Sequence, residues 1–254
     1  MTDNFSPGTA KVAMVTGAAG GMGSYMAHRL HKDGFSVVLT DINQDAVTAL
    51  ARDISPDGAT AIGLQHDVAQ REDFVRVLAQ TQECWKTPEV LVNNAAVTQA
   101  ADLMTLTQSD FDRVLDTNTN SIFFGCQVVG GAMAETGYGR IINMASLAGQ
   151  NGGTATGAHY AASKGAILTI TKIFAKEFAS SGVTVNSISP GPHDLPIVHT
   201  TVPADRLEAV VSGIPVQRLG EPQFIADTVA LLASENAYFV TGACWDINGG
   251  LYVR

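Results

Sequence analysis

Residues 11–34 read KVAMVTGAAGGMGSYMAHRLHKDG, and the order of their parts decides the fold. KVAMVTG is a short, valine-rich apolar run, the pattern of a strand buried on both faces of a parallel sheet. TGAAGGMG follows, and SYMAHRLHKDG then reads as an amphipathic helix. Strand, glycine turn and helix in that order bring backbone N–H groups and the positive end of a helix to one point, where a phosphate can sit. Gly17, Gly21 and Gly23 let the backbone approach a pyrophosphate, although their spacing is GxxxGxG rather than the GxGxxG dinucleotide fingerprint.

Outward from this unit, strands and helices alternate. FSVVLTD is a second strand ending in Asp41, 18 positions after Gly23. A carboxylate there can accept from a ribose 2′-hydroxyl and would repel a 2′-phosphate. Neither Gly20, Thr40 nor Ile42 is basic, so NAD(H) is expected over NADP(H). Asp41 can also cap a helix over 43–54. Asp67 follows a third strand, where it either meets the adenine end of the cofactor or caps a helix over 71–83. EVLVNNAAV delivers Asn93, Asn94, Ala95 and Ala96 to the carboxyl edge of the sheet, where ligands of open parallel sheets bind. A long helix over 108–136 contains Asn118. GRIINMAS and GVTVNSISPG are further strands, a helix spans 222–233, and a last strand lies near ACWDI. Residues 192–215 contain Pro192, Pro196, Pro203 and Pro215 and show no clear periodicity, which reads as an irregular substrate lid.

The chemistry is concentrated in 141–164, IINMASLAGQNGGTATGAHYAASK. Tyr160 and Lys164 stand one helical turn apart and share a face. A positive charge beside a phenol lowers its proton affinity, so Lys164 is expected to bring Tyr160 into range for acid–base work. Ser146 can bond the same substrate oxygen. Beyond Tyr160 the helix carries Ile167, Ile170, Phe174 and Phe178, a stripe for the core or a subunit interface.

Composition narrows the class. A chain of 254 residues, 46% hydrophobic and 15% charged, suits one well-packed α/β domain, and the region 1–10 reads as a loose leader. The net charge of -9 argues against nucleic acid or an anionic membrane surface as partner. Cys84, Cys126 and Cys244 form no CxxC pair, and no metal site is expected. No secretory signal or 20-residue apolar run is visible, so a cytoplasmic location is expected.

Taken together, TGAAGGMG (16–23), Asp41, NNAA (93–96), Asn118, Ser146, YAASK (160–164), PG (190–191) and TGACWDINGG resemble the short-chain dehydrogenase/reductase family over about residues 10–250. The resemblance implies a single Rossmann-like domain, a doubly wound parallel sheet of about seven strands with helices on both faces. Tyr160 would be the acid/base, Lys164 would bind the nicotinamide ribose, Ser146 would orient the substrate oxygen, and Asn118 would interrupt its helix to hold a water. The cofactor set it implies adds Gly20, Met22, Ile42, Val68, Pro190, Gly191 and His193 to the residues above. Ser146, Ala148, Gln150, Tyr160 and Leu195 would face substrate. It also implies a homotetramer built through 108–136 and 158–180.

PGPHDLP (190–196) departs from the family. Leu195 stands where a threonine commonly contacts the nicotinamide carboxamide, and His193 replaces an aliphatic residue. His193 is counted with the cofactor set, while for its ring exposure to solvent is the preferred reading.

Between Ser146 and Tyr160 there is no charged residue, and the lid contributes only Arg206 as a cation. The expected substrate is therefore an uncharged, small to medium secondary alcohol or ketone. A 3-oxoacyl-[acyl-carrier-protein] reductase is the first alternative; Ser181 and Glu135, where carrier-docking cations are usual, weigh against it. A sugar or polyol dehydrogenase and an NAD(H)-sensing regulator without catalysis remain open.

Overall fold

The computed structural model describes residues 10–153, 157–201 and 204–254. The leader at 1–9, and Thr154, Thr156 and Pro203 of the expected pocket wall and lid, lie outside the described residues. Seven strands form one sheet: β1 (Val12–Thr16), β2 (Ser36–Asp41), β3 (Ala61–Gln65), β4 (Val90–Asn93), β5 (Gly139–Met144), β6 (Val183–Pro190) and β7 (Cys244–Ile247). Their order is β3-β2-β1-β4-β5-β6-β7, and every neighbouring pair is parallel.

The longer helices among the described residues are α1 (Gly21–Lys32), α2 (Gln44–Ile54), α3 (Arg71–Cys84), α4 over 108–136, α5 (Ala158–Phe178), α6 (Pro196–Thr201), α7 (Ala204–Gly213) and α8 (Pro222–Ala233), with a single short turn of helix at Ala148–Asn151. Because side chains alternate along a strand, β1 feeds two cores. Ala13 and Val15 pack with Met26 and Leu30 of α1, Val47 of α2 and Ile225 of α8. Val12 and Met14 face the other way, onto Phe74 of α3, Ile122 and Val129 of α4 and Ile167 of α5. The sheet is thus Rossmann-like and doubly wound. Chain order runs outward in opposite directions from β1 and β4, which opens a crevice at their carboxyl ends.

Three elements differ from the sequence reading. α4 is not uniform: α-helical turns at Gln108–Leu115, Ser121–Gly125 and Gly131–Thr136 alternate with wide π-turns at Asp116–Asn120 and Cys126–Gly130. Asn118 lies in the first wide turn. The lid is not irregular, for α6 and α7 lie within it. Pro196 stands at the first position of α6, where its missing N–H has no intrahelical partner to lose. None of the described side chains of α7 is buried, so the periodicity that marks a core-facing helix never arises in its sequence. α5 ends at Phe178 and is continued by a 3-10 turn, Ala179–Ser181. No helix among the described residues is long and apolar enough to cross a membrane.

The turn after β1 is the tightest joint. Gly17 and Gly21 have φ of +61° and +54°, the left-handed region that favours glycine. A Cβ on Gly17 would lie 2.7 Å from the Ala95 Cα. A Cβ on Gly23 would strike the Gly17 carbonyl and lie 2.9 Å from Asn94 Nδ2. Gly23→Ala should therefore cost about 1–3 kcal/mol of stability, read by urea unfolding, and weaken NADH binding in parallel. Wild-type stability and affinity in that variant would contradict this packing.

Candidate active site

β1 ends in Thr16, which is buried and fastens the first turn to the end of β4. Its Oγ1 accepts from the Asn94 and Ala95 N–H groups at 3.0 and 3.1 Å. Asn94 Nδ2 returns two bonds, to the Thr16 and Gly17 carbonyls at 3.0 and 2.9 Å. The Asn94 side chain thus satisfies backbone groups that a turn would otherwise leave unpaired.

Over this joint lies a cleft of about 530 Å³, lined by Gly17, Gly20, Gly21, Met22, Asp41, Ile42, Asp67, Val68, Asn94, Ala95 and Ala96, together with His66, Val97 and Thr117. α1 points into it with Gly20 as N-cap, no side-chain cap and no acidic residue in its first turn. Its free N–H groups and dipole therefore suit a phosphate. Asp41 does not cap α2, whose N-cap is Asn43. Its carboxylate instead accepts from the N–H groups of Ala19 (3.1 Å) and Asn43 (3.0 Å), which fixes it at the cleft wall. Asp67 accepts from the Ala69 N–H at 3.0 Å and lines the cleft, while Gln70 is the N-cap of α3. No lysine or arginine is among the described lining residues. The open glycine cradle, uncapped helix end and fixed carboxylate fit a dinucleotide cofactor.

Ser146, Tyr160 and Lys164 gather at the ends of β5 and α5. The Leu147 N–H donates to the Pro190 carbonyl at 3.0 Å, which ties this segment to β6. A Cβ on Gly149 would lie 2.6 Å from the Gly165 nitrogen, so only glycine lets the segment rest on α5 beside Lys164. The Ser146 Oγ accepts from the Ala148 N–H at 3.1 Å, and its hydroxyl lies close enough to the Tyr160 phenol to lower that group's proton affinity.

Lys164 departs from the sequence reading. It is 3% exposed, its Nζ donates to the Met144 carbonyl at 2.7 Å, and it lies 5.6 Å from the Tyr160 ring centre. Burial pushes its proton affinity down to about 8. Burial pushes the half-buried Tyr160 up, and the Ser146 hydroxyl, not the lysine, is the group that opposes this. One N–H of the ammonium donates to the Met144 carbonyl, while the charge itself lies over the Tyr160 ring.

Asn118 is buried, and its amide is engaged. Its Oδ1 accepts from the Val97 N–H at 2.8 Å, and its Nδ2 donates to the Val97 carbonyl at 2.9 Å and to Ser163 Oγ at 3.0 Å. Ser163 in turn donates to the Tyr160 carbonyl at 2.7 Å.

Other expected residues fall elsewhere. Gln150 is tied away, its Nε2 donating to Asp246 Oδ1 at 2.6 Å. Gly191 donates to the Ile247 carbonyl at 2.8 Å. Ala148 is buried, and Leu195 is half-buried in the first turn of the lid. His193 is not solvent-exposed. It is 4% exposed, its Nδ1 donates to the Gly191 carbonyl at 2.8 Å, and it lines a second cavity between the lid base and α8 rather than the glycine-loop cleft. Glycine at 220 leaves room for its ring, since a Cβ there would lie 2.7 Å from the histidine Nε2. Thr16, His66, Val97, Thr117 and Ser163 were not singled out in the sequence. Only their adjacency to the motifs marks them. Burial holds the His66 ring neutral, with its proton affinity near 4.

The arrangement can bind a dinucleotide at one end and hold a hydroxyl or carbonyl between Ser146 and Tyr160 at the other. The comparisons agree with this class. A family model described as Enoyl-(Acyl carrier protein) reductase matches residues 17–252. The 3-oxoacyl-[acyl-carrier-protein] reductase FabG of Staphylococcus epidermidis is 33% identical, with 96% of this chain and 99% of that one covered. The (3R)-3-hydroxyacyl-CoA dehydrogenase of Canis lupus familiaris is 34% identical over 95% of this chain and 96% of its own. The acetoacetyl-CoA reductase of Allochromatium vinosum is 34% identical over 96% of this chain and the whole of its own. The chain belongs to the short-chain dehydrogenase/reductase family of oxidoreductases.

Lys164 gives a pH test of the site. Its folded affinity, about 8, lies below the 10.5 of a free lysine, so above pH 8 the unfolded chain binds the extra proton. Stability gained from this group therefore rises with pH between those values. The stability of wild type relative to Lys164→Met, read by urea unfolding, should rise from pH 8 to 10. A flat difference would show that burial does not lower the proton affinity of Lys164.

Proposed function

We propose that the chain is an NAD(H)-dependent oxidoreductase that interconverts a 3-hydroxyacyl and a 3-oxoacyl thioester. The observation that carries the reaction type is the grouping of Ser146, Tyr160 and Lys164 where β5 ends and α5 begins, with Lys164 Nζ 5.6 Å from the Tyr160 ring centre, on the same sheet edge as a cleft suited to a dinucleotide. The substrate class is supported by the relatives, which are named for 3-oxoacyl, 3-hydroxyacyl and acetoacetyl thioesters. That class replaces the broader secondary alcohol or ketone expected from the uncharged linker. Exposed Glu135 at the end of α4 and the net charge of -9 oppose docking of an acidic carrier protein. A coenzyme A thioester is therefore the preferred form.

In this reading Ser146 donates a hydrogen bond to the 3-oxo group and orients it. Tyr160 gives its phenolic proton to that oxygen during reduction and takes it back during oxidation. A bound nicotinamide dinucleotide would supply or accept the hydride. Gly17, Gly20, Gly21 and the end of α1 hold its pyrophosphate, and Asp41 holds its adenosine ribose. Lys164, already fixed at the end of β5, presents its remaining N–H donors to the nicotinamide ribose. Asn118 acts through Val97 and Ser163, which fix the floor of the site and the backbone of Tyr160. The role carried by its side chain is positioning rather than direct water holding.

Self-association through α4 and α5 is part of the proposal. Phe123 and Ile173 are 42% and 59% exposed, and the Phe123 and Phe174 rings lie 5.6 Å apart across the two helices. Such a patch suits a homotetramer more than solvent. The free thiols Cys84, Cys126 and Cys244 suit a reducing compartment such as the cytoplasm.

Two substitutions test the assignment. With acetoacetyl-CoA and NADH, Tyr160→Phe should lose at least about 10²-fold in kcat while its NADH Kd, from fluorescence, stays at the wild-type value. Retained turnover would remove Tyr160 from the proton step. Asp41→Ala should weaken NADH and improve NADPH, narrowing the ratio of their kcat/KM values. A wild-type enzyme that already prefers NADPH would overturn the NAD(H) reading.

A further inference from the structure

Tyr160 is held by its neighbour in sequence. α5 begins at Ala158, so the N–H groups of its first turn have no intrahelical acceptor. Its N-cap is Gly157, which has no side chain to offer. The Tyr160 N–H meets two acceptors instead, the Gly157 carbonyl at 3.1 Å and the Nδ1 of His159 at 3.0 Å. His159 is 0% exposed. Because Nδ1 accepts, the neutral ring carries its proton on Nε2. That Nε2 is buried and has no hydrogen-bond partner among the described residues.

A buried donor left unpaired weakens a fold, so stability alone does not account for a histidine here. Room is also kept for the ring. A Cβ on Gly157 would lie 2.6 Å from His159 Nδ1 and 3.1 Å from the Gln99 carbonyl, so glycine is needed beside it. The other end of the Tyr160 peptide is fixed as well, since Ser163 donates to its carbonyl at 2.7 Å and is itself held by Asn118.

We infer that His159 is a positioning residue for Tyr160: its Nδ1 completes the first turn of α5 and fixes the direction in which the phenol leaves the backbone. The backbone of Tyr160 is then clamped at both ends, by His159 on the N–H and by the Ser163–Asn118 pair on the carbonyl. The nearness of the Ser146 hydroxyl to the phenol depends on this direction. A shift of about 1 Å in a reacting group can cost 10²-fold in rate. His159 acts on that distance without touching substrate.

This rests on Tyr160 as the acid/base, and the test separates the two claims. Asparagine places its Oδ1 where the histidine has Nδ1, whereas leucine fills space without an acceptor. With acetoacetyl-CoA and NADH, His159→Leu should lose about 10²-fold in kcat, with KM and the NADH Kd within about twofold of wild type. His159→Asn should recover most of that loss. Gly157→Ala, which pushes the ring aside, should reproduce the leucine phenotype with His159 intact.

Wild-type kcat in His159→Leu, equal losses in the leucine and asparagine variants, or a loss of NADH affinity matching the loss of kcat would overturn the inference. A second readout needs no turnover. Titration of tyrosinate absorbance, with Tyr160→Phe subtracted, should show Tyr160 ionising at higher pH in His159→Leu, because its bond from Ser146 is loosened, and unchanged in His159→Asn. An unchanged curve in the leucine variant would count against the clamp. A wild type inactive on every ketone tried would instead remove the proposed reaction, and the titration would still decide the role of His159.

Discussion

Everything at the carboxyl edge depends on how closely the turn after β1 lies against the end of β4. Thr16 and Asn94 set that distance with four hydrogen bonds in which each residue uses both backbone and side chain. Each such bond contributes about 1 kcal/mol net, but the larger effect is geometric. Gly17 and Gly23 can lie on Ala95 and Asn94 only because they lack Cβ atoms, and their closeness leaves the end of α1 bare. A helix terminus with open N–H groups, at the point where the strand order reverses, is the electrostatic basis of the cleft.

The second half of the site obeys a different constraint. Tyr160, Lys164 and Ser146 come from one stretch of chain, yet they meet only because Gly149 lets that stretch lie on α5. Burial then acts on the lysine and the tyrosine in one direction, against charge. Lys164 is held near 8 and Tyr160 is pushed up. A site with both groups in a dry setting favours the neutral phenol, which suits proton donation to a carbonyl. The phenolate needed for the reverse direction is favoured by the Ser146 bond and, in the proposed reaction, by the charge of a bound nicotinamide.

Much of the fold was legible in the sequence because parallel strands buried on both faces are apolar throughout and end in abrupt glycine or polar turns. KVAMVTG, EVLVNNAAV and GVTVNSISPG mark their own ends, and those ends carry the cleft residues. What stayed hidden depends on contacts between distant segments. The helices of the lid lack a buried stripe, so no period betrays them. His193 read as exposed because a loop histidine carries no sign of the glycine at 220 that makes room for it. The i, i+4 spacing of Tyr160 and Lys164 was visible, but the Met144 carbonyl that anchors the ammonium was not. His159 gave no signal at all, since its role exists only once α5 begins at Ala158 with a glycine for a cap.

In the proposed reaction a hydride moves between a nicotinamide and the C3 carbon of an acyl thioester, with Tyr160 handling the proton. A single turnover of wild type with NADH deuterated at C4 on the transferred face and acetoacetyl-CoA tests it directly by mass spectrometry of the product. The account predicts 3-hydroxybutyryl-CoA carrying one deuterium at C3, and none formed by Tyr160→Phe in the same time. Product without deuterium at C3, or no product from wild type while NADH stays bound, would contradict it.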